Sequence, residues 1–374
     1  MDQKTFKAKS NIKWYRCKID PEKLNVLMRR SNLQGLRQVG GLLLLCACTG
    51  IISYIIFSLL NGTSWYWCLP CLLLSFFLHG SVCHFLGGVS CHELLHRTPF
   101  KSKRLNELFL RIFAFLSWTD FIGFRASHIK HHQATVHTDH DGEIRLPFQL
   151  ITKPQILFWM EKFAWNPVFT WVAIKSYFYW SFGKLDFNLP QGSAWYNFIL
   201  PTSNKELRQQ HKRWARTVLL GHAILTTIFL ITGNWVLIVL INGVHYCKWL
   251  GWLFESPQHY GLSPNTSDFR LSVRTYTCSR LVAFLYWNMQ YHLEHHMFPA
   301  VPFYNLPQLR QAIAHDLPLA HHGLRPTWNE IWDIHHRQTN DSNYTFVPKI
   351  PIANKKDTGV KTDDVILQQE ATLA

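Results

Sequence analysis

Four long apolar runs, spaced as two tight pairs, limit what this chain can fold into. They cover about residues 38–60, 65–87, 214–232 and 234–254. A helix needs roughly 20 apolar residues to cross the hydrocarbon core of a bilayer, and these runs meet that length. Backbone amides cannot stay unpaired in lipid, so such runs are expected to fold as helices. The turns inside the pairs, at 61–64 and 232–234, carry no charge, whereas Arg37 precedes the first run and Lys212, Arg213 and Arg216 flank the third. Residues 1–37 hold ten Lys/Arg against Asp2, Asp20 and Glu22. This bias places 1–37, 88–213 and 255–374 together on the cytoplasmic side, with only the two turns opposite.

The formal net charge of +15 raises the question of nucleic acid. Nucleic-acid binding would pair basic residues with stacking aromatics in a recognisable module, and no such module is present; the flanks of the apolar runs account for the charge. Six of the nine cysteines (Cys46, Cys48, Cys68, Cys71, Cys83 and Cys247) lie inside apolar runs, where free cysteine packs as a small hydrophobe. Cys68-Leu-Pro-Cys71 has redox-motif spacing but reads as packing within hydrocarbon.

The stretch 88–213 separates the two pairs. Within it Leu105, Leu108, Phe109, Ile112, Phe113 and Leu116 recur at helical spacing, with Arg104, Glu107 and Arg111 facing away, which predicts an amphipathic helix. Residues 155–182 are apolar but interrupted by Pro167 and charged at Glu161, Lys162 and Lys175, which predicts an interfacial segment rather than a span. The chain is thus read as a basic segment 1–37, a membrane domain 38–348 and a polar, disordered tail 349–374.

Histidines cluster on the cytoplasmic side of this plan. They form three groups: His92 with His96, His128 with His131 and His132, and His292 with His295 and His296. Positions i, i+3 and i+4 share a helix face, so each group aims its imidazoles at one point. Eight neutral nitrogen donors exceed what one four-coordinate metal uses, so two metals are the economical reading. Imidazole suits iron, zinc, copper and nickel alike. The first group also reads HExxH, the zinc-protease motif with Glu93 as its base. A single zinc would leave the other two groups without a role. Glu93-Leu-Leu-His96 is likewise a Glu-x-x-His pair of the kind found in carboxylate di-iron bundles, but the second such pair is missing.

These groups and their flanks resemble the membrane fatty acid desaturases and related hydroxylases. The matching stretches are Gly88-Val-Ser-Cys-His-Glu-Leu-Leu-His-Arg97, Phe124-Arg-Ala-Ser-His-Ile-Lys-His-His132 and Tyr286-Trp-Asn-Met-Gln-Tyr-His-Leu-Glu-His-His-Met-Phe-Pro299. The resemblance implies an all-α integral membrane protein. Its four transmembrane helices would form two hairpins, with a cytoplasmic helical cap holding a histidine-rich di-iron site. It implies metal ligation by His92, His96, His128, His131, His132, His292, His295 and His296, with a further ligand between the fourth run and the third group. His259 is the best match for that position, ahead of His245 inside the run. Asp141 and Glu143, just after the second group, are expected to support ligating imidazoles from behind, while His137 and His140 are not expected to ligate.

The activity implied is insertion of a double bond into a fatty-acyl or related lipid chain, dependent on two irons and O2. The alternative is hydroxylation or another oxidation of a lipophilic metabolite at the same site. An unactivated C–H bond offers no acidic proton, so the cofactor must carry the chemistry. The chain holds no cytochrome b5 segment, dinucleotide fingerprint or ferredoxin cysteine set, so electrons are expected from a separate carrier of the cytochrome b5 or ferredoxin type. The membrane would be the endoplasmic reticulum of a eukaryote or the inner membrane of a bacterium.

Overall fold

The computed structural model describes residues 6–7, 12–60, 62, 65–144, 156–185 and 192–351. Among the described residues, three helices are long and apolar enough to cross a membrane: α2 (Asn32–Leu59), α3 (Trp65–Leu95) and α9 (Lys205–Ile231), with the short α1 (Pro21–Leu27) ahead of them. Side chains at their N-termini stop them locally. Ser31 accepts from the Gln34 amide and Asn204 from the Leu207 amide, each satisfying a donor the first turn leaves open. Large apolar side chains lie exposed along all three, among them Leu44, Ile51, Leu73, Leu220 and Ile224, as a lipid-facing surface requires.

All three helices outrun their apolar stretches, α2 by starting at Asn32, ahead of the run at 38. α3 continues past 87 to Leu95, so the first histidine pair rides on the end of a membrane helix. α9 begins at Lys205, well before the apolar run at 214.

The fourth run, expected as one helix over 234–254, is broken. It forms α10 (Val236–Ile241), a 3₁₀ turn at Gly243–His245, an extended Tyr246 and then α11 (Trp249–Glu255). Apolarity does not report this interruption; the surroundings supply it. The Cys247 amide donates to the Ala164 carbonyl at 2.8 Å and the Lys248 amide to the Glu161 carbonyl at 3.2 Å. Irregular backbone is tolerated at membrane depth only where protein pairs it in this way. Tyr246 also presses on α3 at Gly80, where a Cβ would lie 2.8 Å from its carbonyl oxygen. A larger residue at 80 would push the broken segment away.

The long central stretch folds as α4 (Lys103–Leu116), α5 (Phe121–Gln133), α6 (Ile156–Phe163), α7 (Pro167–Ser181) and α8 (Gly192–Ile199). α6 and α7 separate where expected: Asn166 caps α7 by accepting from the Phe169 amide, and Pro167 occupies its first turn. Neither is long enough to cross a bilayer alone. α4 is amphipathic, but its buried face is Asn106, Leu110, Phe113 and Ala114, and Leu108 is exposed. Glu107 does not face away. It holds Arg125 of α5 at 2.8 Å and Arg97 at 3.2 Å, tying the first two histidine groups together.

The remaining chain forms the cap: α12 (Phe269–Ser272), α13 (Arg280–Leu285), α14 (His292–Met297), α15 (Leu306–Ile313) and α16 (Leu324–Asn340). Two short parallel strands, β1 (Tyr276–Thr277) and β2 (His321–His322), join its halves. The core beneath it is aromatic, with Tyr276, Tyr286 and Trp287 fully buried. All but the first three residues of the expected tail lie outside the described residues.

Candidate metal centre

The end of α3, one face of α5, the turn at His259 and the short α14 converge on one point beneath the cap. Asp120 starts α5 by accepting from the Gly123 amide, fixing the register that turns His128 and His132 toward His92 and His96, and His131 toward His259 and His296. α14 is only six residues long and carries all three histidines of the third group.

Nine histidines meet there in two groups. His92, His96, His128, His132 and His295 form one; His131, His259, His292 and His296 form the other. Within each group the candidate donor atoms lie within 4.8 Å of one another. The Nε2 atoms of His96 and His128 are 3.0 Å apart, as are those of His128 and His132. The second group repeats this at 3.1 Å for His259 with His292 and for His292 with His296. The groups adjoin, since the rings of His132 and His296 stack with centroids 4.3 Å apart.

The outward nitrogens explain how the rings are aimed. His128 Nδ1 donates to Glu143 at 2.8 Å, His131 Nδ1 to Asp141 at 2.8 Å, and His259 Nδ1 to the Ser272 carbonyl at 2.9 Å. His92 Nδ1 donates to Glu93 at 3.1 Å, and His296 Nδ1 lies 3.1 Å from the Thr135 hydroxyl. A hydrogen bond at Nδ1 fixes the tautomer and leaves the Nε2 lone pair pointing inward. His92 Nε2 and His295 Nε2 are buried without any hydrogen-bond partner. Buried polar atoms are rarely left so, and in a ring of neutral imidazoles a metal is the partner that fits them.

Charge follows burial. Desolvation holds His96, His128, His132, His292, His295 and His296 well below the ordinary histidine range, and neighbouring imidazoles push the same way. Burial brings His259 down to about 3. His131 is the exception: burial lowers it, but the Asp141 charge and hydrogen bond reverse that and raise it. The centre is thus a set of largely neutral nitrogen donors, the state that binds a transition metal.

Every histidine expected at the site is in one of the two groups, and the others considered stand outside. His137 packs edge-on to Trp14, and His140 Nδ1 donates to the Lys7 carbonyl. His245 lies in the broken segment beside Trp118. Asp141 and Glu143 stand behind ligand candidates, as their position after the second group suggested. Glu93, Thr135 and the Ser272 carbonyl were not anticipated in that role. Glu93 was legible as a protease base or as half of a Glu-x-x-His pair, yet its carboxylate faces His92 Nδ1, with His295 Nδ1 at 3.7 Å, and it is fully buried. On that side of the ring the carboxylate is placed to orient His92.

No curated protein compared with the chain matches it significantly. At family level the outcome is different. The profile of the fatty acid desaturase family matches residues 63–328, from the start of α3 through all three histidine groups to the first turns of α16, and the chain therefore belongs to that family.

Proposed function

We propose that this chain is an O2-dependent di-iron desaturase that introduces a double bond into a fatty-acyl or related lipid chain. Membership of the family makes it an integral membrane oxidoreductase. The observation that carries the finer reading is the division of nine buried or half-buried histidines into two adjoining groups. His92, His96, His128, His132 and His295 would hold one iron; His131, His259, His292 and His296 would hold the other. Two irons would supply the activation of O2 that breaking an unactivated C–H bond demands and side chains cannot provide.

The residues themselves hold geometry and exclude water. Asp141, Glu143 and Glu93 lock ring orientation through Nδ1, so the donor set is preformed. A cavity of about 180 Å³ borders His92, His128 and His292, with Val89, Phe124, Tyr286 and Met289 among its walls. Glu143, Glu255 and Gln258 also line it, so a methylene chain would lie against the apolar walls alone, and confinement there would fix which carbon faces the histidines.

Electrons would come from a separate carrier of the cytochrome b5 or ferredoxin type. The basic N-terminal arm supports a docking role for an acidic carrier, because Trp14 stacks on Phe269 at 4.0 Å and Phe269 lies 5.6 Å from the His296 ring.

Lipid mass spectrometry of cells expressing the wild type or His295→Ala tests the activity. A product two hydrogens lighter, absent with the variant, is expected; a product heavier by one oxygen would make the chain a hydroxylase instead.

We also propose that the broken segment 236–255 returns across the membrane, so that all three groups share the cytoplasmic side and only 61–64 and 232–234 lie opposite. Single cysteines at Ser102, Ser193 and Ser342 in a cysteine-depleted chain should then label from one face. Labelling of Ser342→Cys from the face opposite to Ser102→Cys would refute this topology.

A further inference from the structure

A second cavity, of about 940 Å³, lies among α3, α7, α9 and the broken return, and shares no lining residue with the cavity beside the histidines. Its α3 wall is Leu73, Phe76 and Phe77, whereas the other cavity meets α3 at Gly88, Val89 and His92, about three turns further along the helix. The volume is at the upper end for small-molecule sites.

Two features limit the occupant. Among the described residues no Lys, Arg, Asp or Glu lines the cavity, and most of its wall is hydrocarbon or aromatic, which suits a neutral, lipophilic ligand. The break in the fourth run also brings His245 to its wall. That side chain is 5% exposed, and neither ring nitrogen has a hydrogen-bond partner among the described residues. Its aromatic neighbour Trp118 is already committed, donating from Nε1 to Asn242 Oδ1 at 2.9 Å. Leaving a buried imidazole unpaired is costly, and an ionisable group at membrane depth marks a functional position. A hydroxyl can accept from one imidazole nitrogen or donate to the other, so it pairs with either tautomer, whereas a carbonyl serves only one. The rim includes Leu73 at 60% and Trp165 at 50% exposure, so a molecule can enter sideways from the bilayer.

We propose that this cavity binds a lipid alcohol, with its hydroxyl hydrogen-bonded to His245 and its hydrocarbon against α3 and α9. The assignment concerns binding alone and stands apart from the reaction at the histidines.

Photolabelling of the full chain in nanodiscs tests it, using hexadecanol bearing a diazirine and a hexadecane bearing the same group. The alcohol should label peptides spanning 219–227 and 238–247 saturably, compete with unmodified hexadecanol, and exceed the hydrocarbon by about fivefold or more. His245→Leu should lower alcohol labelling to the hydrocarbon level, whereas His245→Gln, which keeps a donor and an acceptor, should retain most of it. Ala223→Trp, at an exposed lining position, should narrow the cavity and lower labelling even if His245→Leu does not fold. Equal labelling by the two probes would mean that bulk acyl chains occupy the space and would overturn the proposal. Undiminished labelling of Ala223→Trp, or of folded His245→Leu, would do the same.

Discussion

Replacing His259 with alanine should release one metal of the pair, whereas replacing His96 should abolish turnover with both metals still bound. The difference follows from the unequal groups. His259 belongs to the set of four, and its loss leaves His131, His292 and His296, one donor short of a four-coordinate site. His96 belongs to the set of five, and its loss leaves four imidazoles in place. Elemental analysis should therefore give about two irons per wild-type chain, about one for His259→Ala, and close to two for His96→Ala. Both variants should lose product by a hundredfold or more, since even supporting residues behind metal ligands cost about 10–100-fold. A His259→Ala protein with full iron and full turnover would remove that residue from the centre. One zinc and no iron in the wild type would overturn the di-iron reading itself.

His259 also marks the edge of what the sequence could disclose. The eight histidines of the three groups announce themselves, because i, i+3 and i+4 spacing brings rings to one side of a helix, although the second and third groups each divide between the two sets. His259 has no such neighbour. It follows a 3₁₀ turn at Ser256–Gln258 and reaches the site only because the chain folds back, so family resemblance, not spacing, pointed to it. The role of Glu93 was hidden for a related reason: a motif fixes which residues are adjacent, not which nitrogen of His92 the carboxylate faces. The same limit applies to the membrane helices. Composition located the apolar runs, but the fourth is interrupted by contacts from Glu161, Ala164 and Gly80, residues distant in sequence that no local pattern can register. On α4, periodicity found an amphipathic helix yet missed Asn106 on its buried side, where the side-chain amide donates to the Leu94 carbonyl at 2.6 Å and closes the end of α3.

The third group depends on a further long-range contact, and cutting it should produce the largest loss of stability. Glu294 sits between His292 and His295 but points away from the metal side, with no exposure to solvent. One carboxylate oxygen accepts from Arg310 of α15, and the other accepts from the Thr275 hydroxyl at 2.5 Å. These two bonds fix the roll of α14, a helix too short to hold its own orientation. Arg310→Ala would leave the carboxylate buried with the threonine alone, and an uncompensated buried charge of this kind costs about 3–5 kcal/mol. The variant should show a clear fall in thermal melting in detergent, with iron lost alongside. If the charge left behind is the cause, removing it should rescue the fold. The double variant Glu294→Leu/Arg310→Met, which replaces the pair with apolar groups of similar reach, should melt well above Arg310→Ala and near the wild type. Equal melting of the single and double variants would show that Arg310 acts through packing rather than through charge, and that α14 takes its orientation from some other contact.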